Sequence, residues 1–427
     1  MGSVLFIFTF VIILVILGMP ITYSLAVPCL TYFLFVEPNL KSVIIVRIFA
    51  GLDIYTLIAL PLFILMGKIM SYGGVTKILI DVSLIIFGRI KGALAFVNVF
   101  ASMIFGGISG SSIADTACLG EILIPEMKER GYTLKESTGV TVASSTVGMI
   151  IPPSMPMIIY AVISSESTAK LFVAGAIPGV LIILIQLIIT YFVAKKRDWP
   201  VEEINMTRQE IAKKLIQSFP AIFMPIFIVG IIVFGVTTPT EAAGLGVLYA
   251  SLCGFFLYRE LKFRKLLLAI KESIYTSASL MIIVSFALLL GWIFVVEGVP
   301  QDIENIIFAL DIPNYFILLL FSSFLILIGT LFDPGVAIIL LTPIFLPAMK
   351  GLGINPIIVG VIFILSLAIG LVTPPVGGCL NVASKTSGID IVQIFIGSLP
   401  WLLANLITLL LVIFFPQISL FLVRFID

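Results

Sequence analysis

Ten apolar runs dominate the chain, near residues 4–18, 21–36, 48–72, 137–163, 170–194, 218–236, 241–258, 276–297, 356–382 and 391–416. Most approach the roughly 20 residues that a helix needs to cross a bilayer. This constrains the fold more than anything else in the sequence. Hydrocarbon offers no water to an unpaired backbone N–H or C=O, so segments this long and apolar must cross as helices. Composition agrees, with 60% apolar and 11% charged residues among 427, against about a quarter charged in soluble domains. The expectation is an all-α polytopic membrane protein. A net charge of +1 leaves no basic surface for nucleic acid, and the absence of histidine removes the commonest general base. Cys29, Cys118, Cys253 and Cys379 lie far apart in apolar stretches and read as small buried hydrophobes. The apolar start lacks a basic leader and a clean cleavage site, so it is read as the first crossing. The first two crossings of each half are short enough to form one broken helix.

Residues 92–128 and 314–350 are apolar too, but interrupted at their centres by Gly106-Gly107-Ile108-Ser109-Gly110-Ser111-Ser112 and Leu331-Phe332-Asp333-Pro334-Gly335. Such interruption suits re-entrant hairpins that open and close on one side of the membrane. With the N-terminus outside, nineteen of the 24 lysines and arginines fall on the cytoplasmic side, leaving Lys41, Arg47, Lys170, Lys350 and Arg424 outside. That bias is the expected one. The outer connection after 297 is acidic, with Glu297, Asp302, Glu304 and Asp311.

Four landmarks recur in the same order at nearly one offset. Ile54-Tyr55-Thr56 returns as Ile274-Tyr275-Thr276, Gly74-Val75 as Gly298-Val299, the hairpin centre Ser109 as Asp333, and Pro152-Pro153 as Pro374-Pro375. Residues 1–194 and 218–427 are therefore read as two copies, each with five crossings and one hairpin. Five is odd, so the second copy inserts upside down, the pattern of secondary transporters with a site near the midplane. The basic stretch 195–217 between them is expected to be a cytoplasmic linker with an interfacial helix.

Irregular backbone at membrane depth survives only inside protein or around a wet cavity. Four such breaks occur, two in the hairpins and two in the broken helices 137–163 and 356–382. Ser111 or Ser112 can cap a helix running from Ile113, with Asp115 at capping-box spacing. Asp333 precedes Pro334, and Thr373 precedes Pro374, as N-caps precede a first-turn proline. Ile151-Pro152-Pro153-Ser154-Met155-Pro156 must stop a helix. Helix N-termini attract an anion and interrupted C-termini offer carbonyls to a cation. The residues thus point to a carboxylate substrate beside sodium, with Gly106, Gly107, Gly110, Gly335, Gly377 and Gly378 allowing close backbone approach. The bland alternatives are packing for the serines and glycines, and capping alone for Asp333, Asp115 and the Thr238–Glu241 box. Glu121, also on the first hairpin's second arm, is weighed with Asp115. Gly107-Ile108-Ser109-Gly110 fits the G-x-S-G pattern of intramembrane serine proteases, but without histidine the serine lacks its usual base. A cation channel or a non-transporting membrane scaffold stays open as the alternative to a transporter.

At these breaks the chain resembles the large membrane subunit of the tripartite ATP-independent periplasmic (TRAP) transporters. The resemblance rests on Ser109 to Ala117 running on to Ile124-Pro125-Glu126-Met127, on Ala143-Ser144-Ser145-Thr146 with Ile151-Pro152-Pro153-Ser154, and on Thr238 to Ala243. It continues through Asp333-Pro334, Leu341-Thr342-Pro343 and Ala368 to Gly377, and covers nearly the whole chain. Ser366 departs from the asparagine expected there in many members. The resemblance implies a sodium-driven importer of the bacterial inner membrane with a periplasmic N-terminus, in which an elevator-type core slides past a scaffold. It implies two partners, a small four-helix membrane subunit and a periplasmic substrate-binding protein, and an organic acid such as sialic acid or a C4-dicarboxylate. By the same resemblance sodium is held around Ser109, Ser112 and Pro152, and around Gly329, Asp333 and Thr373. Substrate is met by Ser109, Gly110, Ser111, Ser154, Pro375 and Gly377.

Overall fold

The computed structural model describes residues 2–201, 207–309 and 312–426, and is helical throughout with no strand among them. The first run comprises α1 (Gly2–Ile16), α2 (Ile21–Thr31), α3 (Lys41–Leu52), α4 (Ala59–Tyr72), α5 (Val75–Phe87), α6 (Ala93–Ser109), α7 (Ser112–Glu129), α8 (Leu134–Ser145), α9 (Met155–Ser164) and α10 (Thr168–Arg197). The second comprises α11 (Arg208–Val233), α12 (Pro239–Leu252), α13 (Phe263–Val296), α14 (Val299–Ala309), α15 (Asn314–Leu331), α16 (Pro334–Gly351), α17 (Pro356–Gly370), α18 (Gly378–Ser387) and α19 (Ile391–Phe414). Eight helices among the described residues are long and apolar enough to cross a membrane.

The two runs repeat one another element by element, as an inverted repeat with two re-entrant hairpins, α6–α7 and α15–α16, and two discontinuous helices, α8–α9 and α17–α18. Local detail repeats too. A π-helical turn follows α2 at Tyr32–Val36 and α12 at Cys253–Leu257. Gly74 and Gly298, at φ 85 and 76, occupy the left-handed region just before α5 and α14, a conformation that disfavours any residue with a Cβ. Both double prolines contain a cis bond.

The copies interlock. The second arm of each hairpin packs on the far half of the other copy's broken helix, α7 on α18 and α16 on α9. Around them, α12 and α13 pack on α4, and α11 packs on α5. Between α6 and α8 a buried polar seam replaces apolar packing: Asn98 Nδ2 donates to Thr141 Oγ1 at 2.6 Å, and Ser102 Oγ lies 2.9 Å from Ser144 Oγ. Each hydroxyl and amide there finds a partner, as a group in low dielectric must.

Three expectations are corrected. The run 48–72 is not one crossing. It divides into α3 and α4 at Asp53–Ile58, because Pro61 lacks an N–H and its ring clashes with the carbonyl four residues back. Its counterpart has no such proline, so α13 runs unbroken for 34 residues, starting at Phe263 and not near 276. The placement of 4–18 and 21–36, and of 218–236 and 241–258, as separate crossings holds: α1 and α2, and α11 and α12, are parted at Gly18-Met19-Pro20 and Phe234–Thr238 and do not form one broken helix. Residues 208–217 form no independent interfacial helix; they are the first turns of α11, which starts at a capping box between Thr207 and Glu210. Residues 202–206 of the linker, and Asp311, lie outside the described residues.

Candidate functional site

The two hairpin tips meet at one cavity of about 460 Å³. Gly110, Ser111, Ser112 and Ile113 line it from the first tip, and Asp333, Pro334, Gly335 and Val336 from the second. Met149, Met155 and Pro156 add the first break, Leu371 the second, and Thr276, Ser279, Leu280 and Ile283 of α13 close the far side.

Three helices begin at this cavity, and each start is encoded locally. Ser111 is the N-cap of α7, its Oγ accepting from the Ala114 N–H at 3.4 Å. Ser154 caps α9, accepting from Met157 N–H at 3.4 Å while its hydroxyl donates to the Met149 carbonyl. Asp333 caps α16, with Oδ1 accepting from the Gly335 N–H at 2.9 Å and Pro334 in the first turn. The Asp333 side chain is exposed to the cavity although protein surrounds it at depth. Three N-termini directed at one space concentrate partial positive charge there, and neither lysine nor arginine lines the cavity.

The breaks hold the tips by backbone contact. Gly106 of α6 meets Gly148 so closely that a Cβ on Gly106 would lie 2.5 Å from the Gly148 Cα. In the second copy Gly329 of α15 meets Gly370 of α17, where a Cβ on Gly370 would lie 2.6 Å from the Gly329 Cα. The Gly377 N–H donates to the Thr330 carbonyl at 3.0 Å, tying the second break to its hairpin.

Of the expected site residues, Gly110, Ser111, Ser112 and Asp333 line the cavity. Ser109 ends α6 immediately before Gly110, its hydroxyl donating to the Ser111 carbonyl at 3.4 Å. Ser154 is fully buried beneath the cavity wall at the start of α9. Pro152 faces a separate, almost wholly apolar crevice against α11. Gly329 is buried against Gly370, and Thr373 Oγ1 donates to the Ile369 carbonyl at 2.8 Å. Gly377 is buried, and Pro375 is exposed away from the cavity lining.

Sodium requires oxygen ligands, and three buried oxygens on α7 are candidates for one. Ser112 Oγ and both carboxylate oxygens of Asp115 have no hydrogen-bond partner among the described residues. Asp115 therefore does not close a capping box with Ser112; Ser111 is the cap, and Asp115 points into the interior, where Ser102 approaches it. Ser366, where the family pattern led to an expected asparagine, is fully buried with an unpartnered hydroxyl. The Ser109 hydroxyl has contacts only to Ser111 and no base beside it among the described residues.

The sequence reading missed Thr276 and Ser279. Their signal was the run Thr276-Ser277-Ala278-Ser279 in an otherwise apolar helix; Thr276 served only as a marker of the repeat. Gly148 and Gly370 were missed as well, and each is the counterpart of the other.

Residues 8–418 match the family described as "Tripartite ATP-independent periplasmic transporter, DctM component". The chain is 35% identical over 405 residues to the sialic acid TRAP transporter large permease protein SiaM of Vibrio cholerae, covering 95% of each. It is 35% identical over 391 residues to the C4-dicarboxylate TRAP transporter large permease protein DctM of Pseudomonas aeruginosa, covering 92% of this chain and 91% of that one. Among solved structures, the YdaH transporter of Alcanivorax borkumensis is similar at a TM-score of 0.62 and 16% identity, over 88% of this chain and 87% of that one, a likeness of fold alone.

Proposed function

Because this chain belongs to the DctM component family of the tripartite ATP-independent periplasmic transporters, we propose that, as the large permease, it imports an organic acid on a sodium gradient. The convergence of three capped helix starts on one cavity carries the reading. Such a site attracts a carboxylate without a basic side chain, and the unpartnered Ser112 and Asp115 oxygens fit a sodium ion held behind it. The Ala114 and Gly335 N–H groups are taken by their caps, so the Ser111 hydroxyl and the dipoles of the three helix starts orient the carboxylate. Asp333 and the Thr373 break serve a second ion.

Sialic acid and a C4-dicarboxylate are two substrate classes that the relatives' names support. Substrate arrives from a periplasmic binding protein, and a small four-helix membrane subunit packs on the scaffold. The membrane is the bacterial inner membrane with the N-terminus periplasmic, and the repeats divide as 1–194 and 218–427 about the linker 195–217. The hairpins and broken helices, α6–α9 with α15–α18, form an elevator core; α4, α11, α12 and α13 belong to the fixed wall. A polar site filled by carboxylate and sodium is close to neutral and crosses hydrocarbon at low cost, whereas the ion-free site resists crossing, which couples the two fluxes.

Reconstitution with the small subunit and the cognate binding protein tests the proposal. Uptake of labelled sialic acid or succinate should require all three proteins and an inward sodium gradient. Sodium current without binding protein or substrate would make the chain a channel instead.

A further inference from the structure

A second pocket, of about 430 Å³, lies at the opposite end of the hairpin from its tip and is lined by Arg89, Ile90, Lys91, Tyr191 and Lys195. It sits where α5 turns into α6 through Gly88-Arg89-Ile90-Lys91-Gly92, against the last turns of α10. Gly92, at φ 80, donates its N–H to the Pro200 carbonyl at 2.9 Å, and Lys91 Nζ reaches Asp198 Oδ1 at 2.5 Å. The turn is therefore fixed to the end of α10. Lys91 is the only one of the three cations with an acidic partner; Arg89 and Lys195 have none among the described residues. One anion among three cations leaves a net positive pocket on the side where the basic residues gather.

Just above it α10 presents Ile188, Tyr191 and Phe192 outward, at 56%, 51% and 64% exposure. That stripe continues a membrane-spanning helix, so it contacts acyl chains, with Tyr191 at the boundary where amphipathic rings collect. Basic pockets between spanning helices on the cytoplasmic side suit anionic lipid headgroups.

We propose that this pocket binds the headgroup of an anionic phospholipid such as phosphatidylglycerol, with Arg89 and Lys195 on the phosphate, Lys91 completing the cationic rim and the acyl chains along Ile188 and Phe192. The site lies at the turn between α5 and the first hairpin, so a bound lipid braces the point from which the hairpin arises. The inference rests on the membrane orientation, not on sodium coupling or substrate, and its test reads lipid binding without transport.

Native mass spectrometry of the full chain, purified in detergent and given phosphatidylglycerol or phosphatidylcholine, reads this directly. The wild type should retain phosphatidylglycerol several-fold more than phosphatidylcholine, which has the phosphate but no net charge. The double variant Arg89→Gln/Lys195→Gln should lose most of that preference, while Lys262→Gln/Arg264→Gln, an equal loss of exposed basic charge at the start of α13, should keep it. Inorganic phosphate should leave the lipid in place. Equal retention in both double variants, no preference for the anionic lipid, or displacement by phosphate would each overturn the proposal.

Discussion

Gly370 lies against Gly329 with no room for a side chain between them; a Cβ on Gly370 would sit 2.6 Å from the Gly329 carbonyl carbon and Cα. The first copy holds Gly106 against Gly148 in the same way. In both copies the obstructing atoms are backbone, which cannot rotate aside. Overpacking of this kind costs about 1–3 kcal/mol. Gly106→Ala and Gly370→Ala should each lower the unfolding temperature in detergent and reduce uptake, whereas Gly244→Ala, with open space around it, should change neither.

Thr276 and Ser279 line the cavity and are exposed, and Thr276 Oγ1 donates to the Glu272 carbonyl at 2.9 Å, leaving its oxygen to accept. Removing the two hydroxyls should leave the fold intact and alter recognition. Thr276→Val and Ser279→Ala are expected to raise KM for substrate about 2- to 12-fold, the loss of one modest hydrogen bond each, with the unfolding temperature unchanged. An unchanged KM in both would move the substrate away from α13.

Asp115 carries two buried carboxylate oxygens with no hydrogen-bond partner among the described residues, and its ionised form, left there without a counter-ion, destabilises the fold. Asp115→Asn keeps the shape and removes the charge. In sodium-free buffer it should raise the unfolding temperature. A fall would show that the carboxylate has a stabilising partner in the folded protein.

Ser71 Oγ on α4 and Cys118 Sγ on α7 are 3.5 Å apart, across the boundary between the proposed wall and core. Ser71→Cys should form a disulfide with Cys118 under mild oxidant and stop uptake, with recovery on reduction. Full uptake by the cross-linked protein would mean that the boundary does not slide.

Much of this was legible in the sequence because the membrane enforces it. Apolar length gave the spans, and the interruptions at Ser109–Ser112 and Asp333-Pro334 gave the hairpins, since unpaired backbone is forbidden in lipid. The caps at Ser111 and Asp333 were legible because each satisfies an N–H group within three residues of itself, whereas Ser154 was not read as a cap and Thr373, expected to be one before Pro374, donates to the Ile369 carbonyl while α18 starts only at Gly378. What needed three dimensions was contact between distant segments. The Gly329–Gly370 approach spans 41 positions and leaves no local pattern. Asp115 at capping-box spacing was ambiguous because spacing cannot show which of Ser111 and Ser112 starts the helix. The break at Asp53–Ile58 was overlooked inside the run 48–72, although Asp53 and Pro61 mark it and α13 contains no proline.

Asp333 separates a structural cap from a functional carboxylate most directly. Asparagine caps a helix as well as aspartate does, so Asp333→Asn should preserve the start of α16 and the unfolding temperature while removing the charge from the cavity. Sodium-stimulated uptake in reconstituted vesicles, measured for this variant beside the wild type, is the decisive reading. The account predicts loss of sodium stimulation in a stable, correctly inserted protein; wild-type uptake with an unchanged sodium dependence would contradict it.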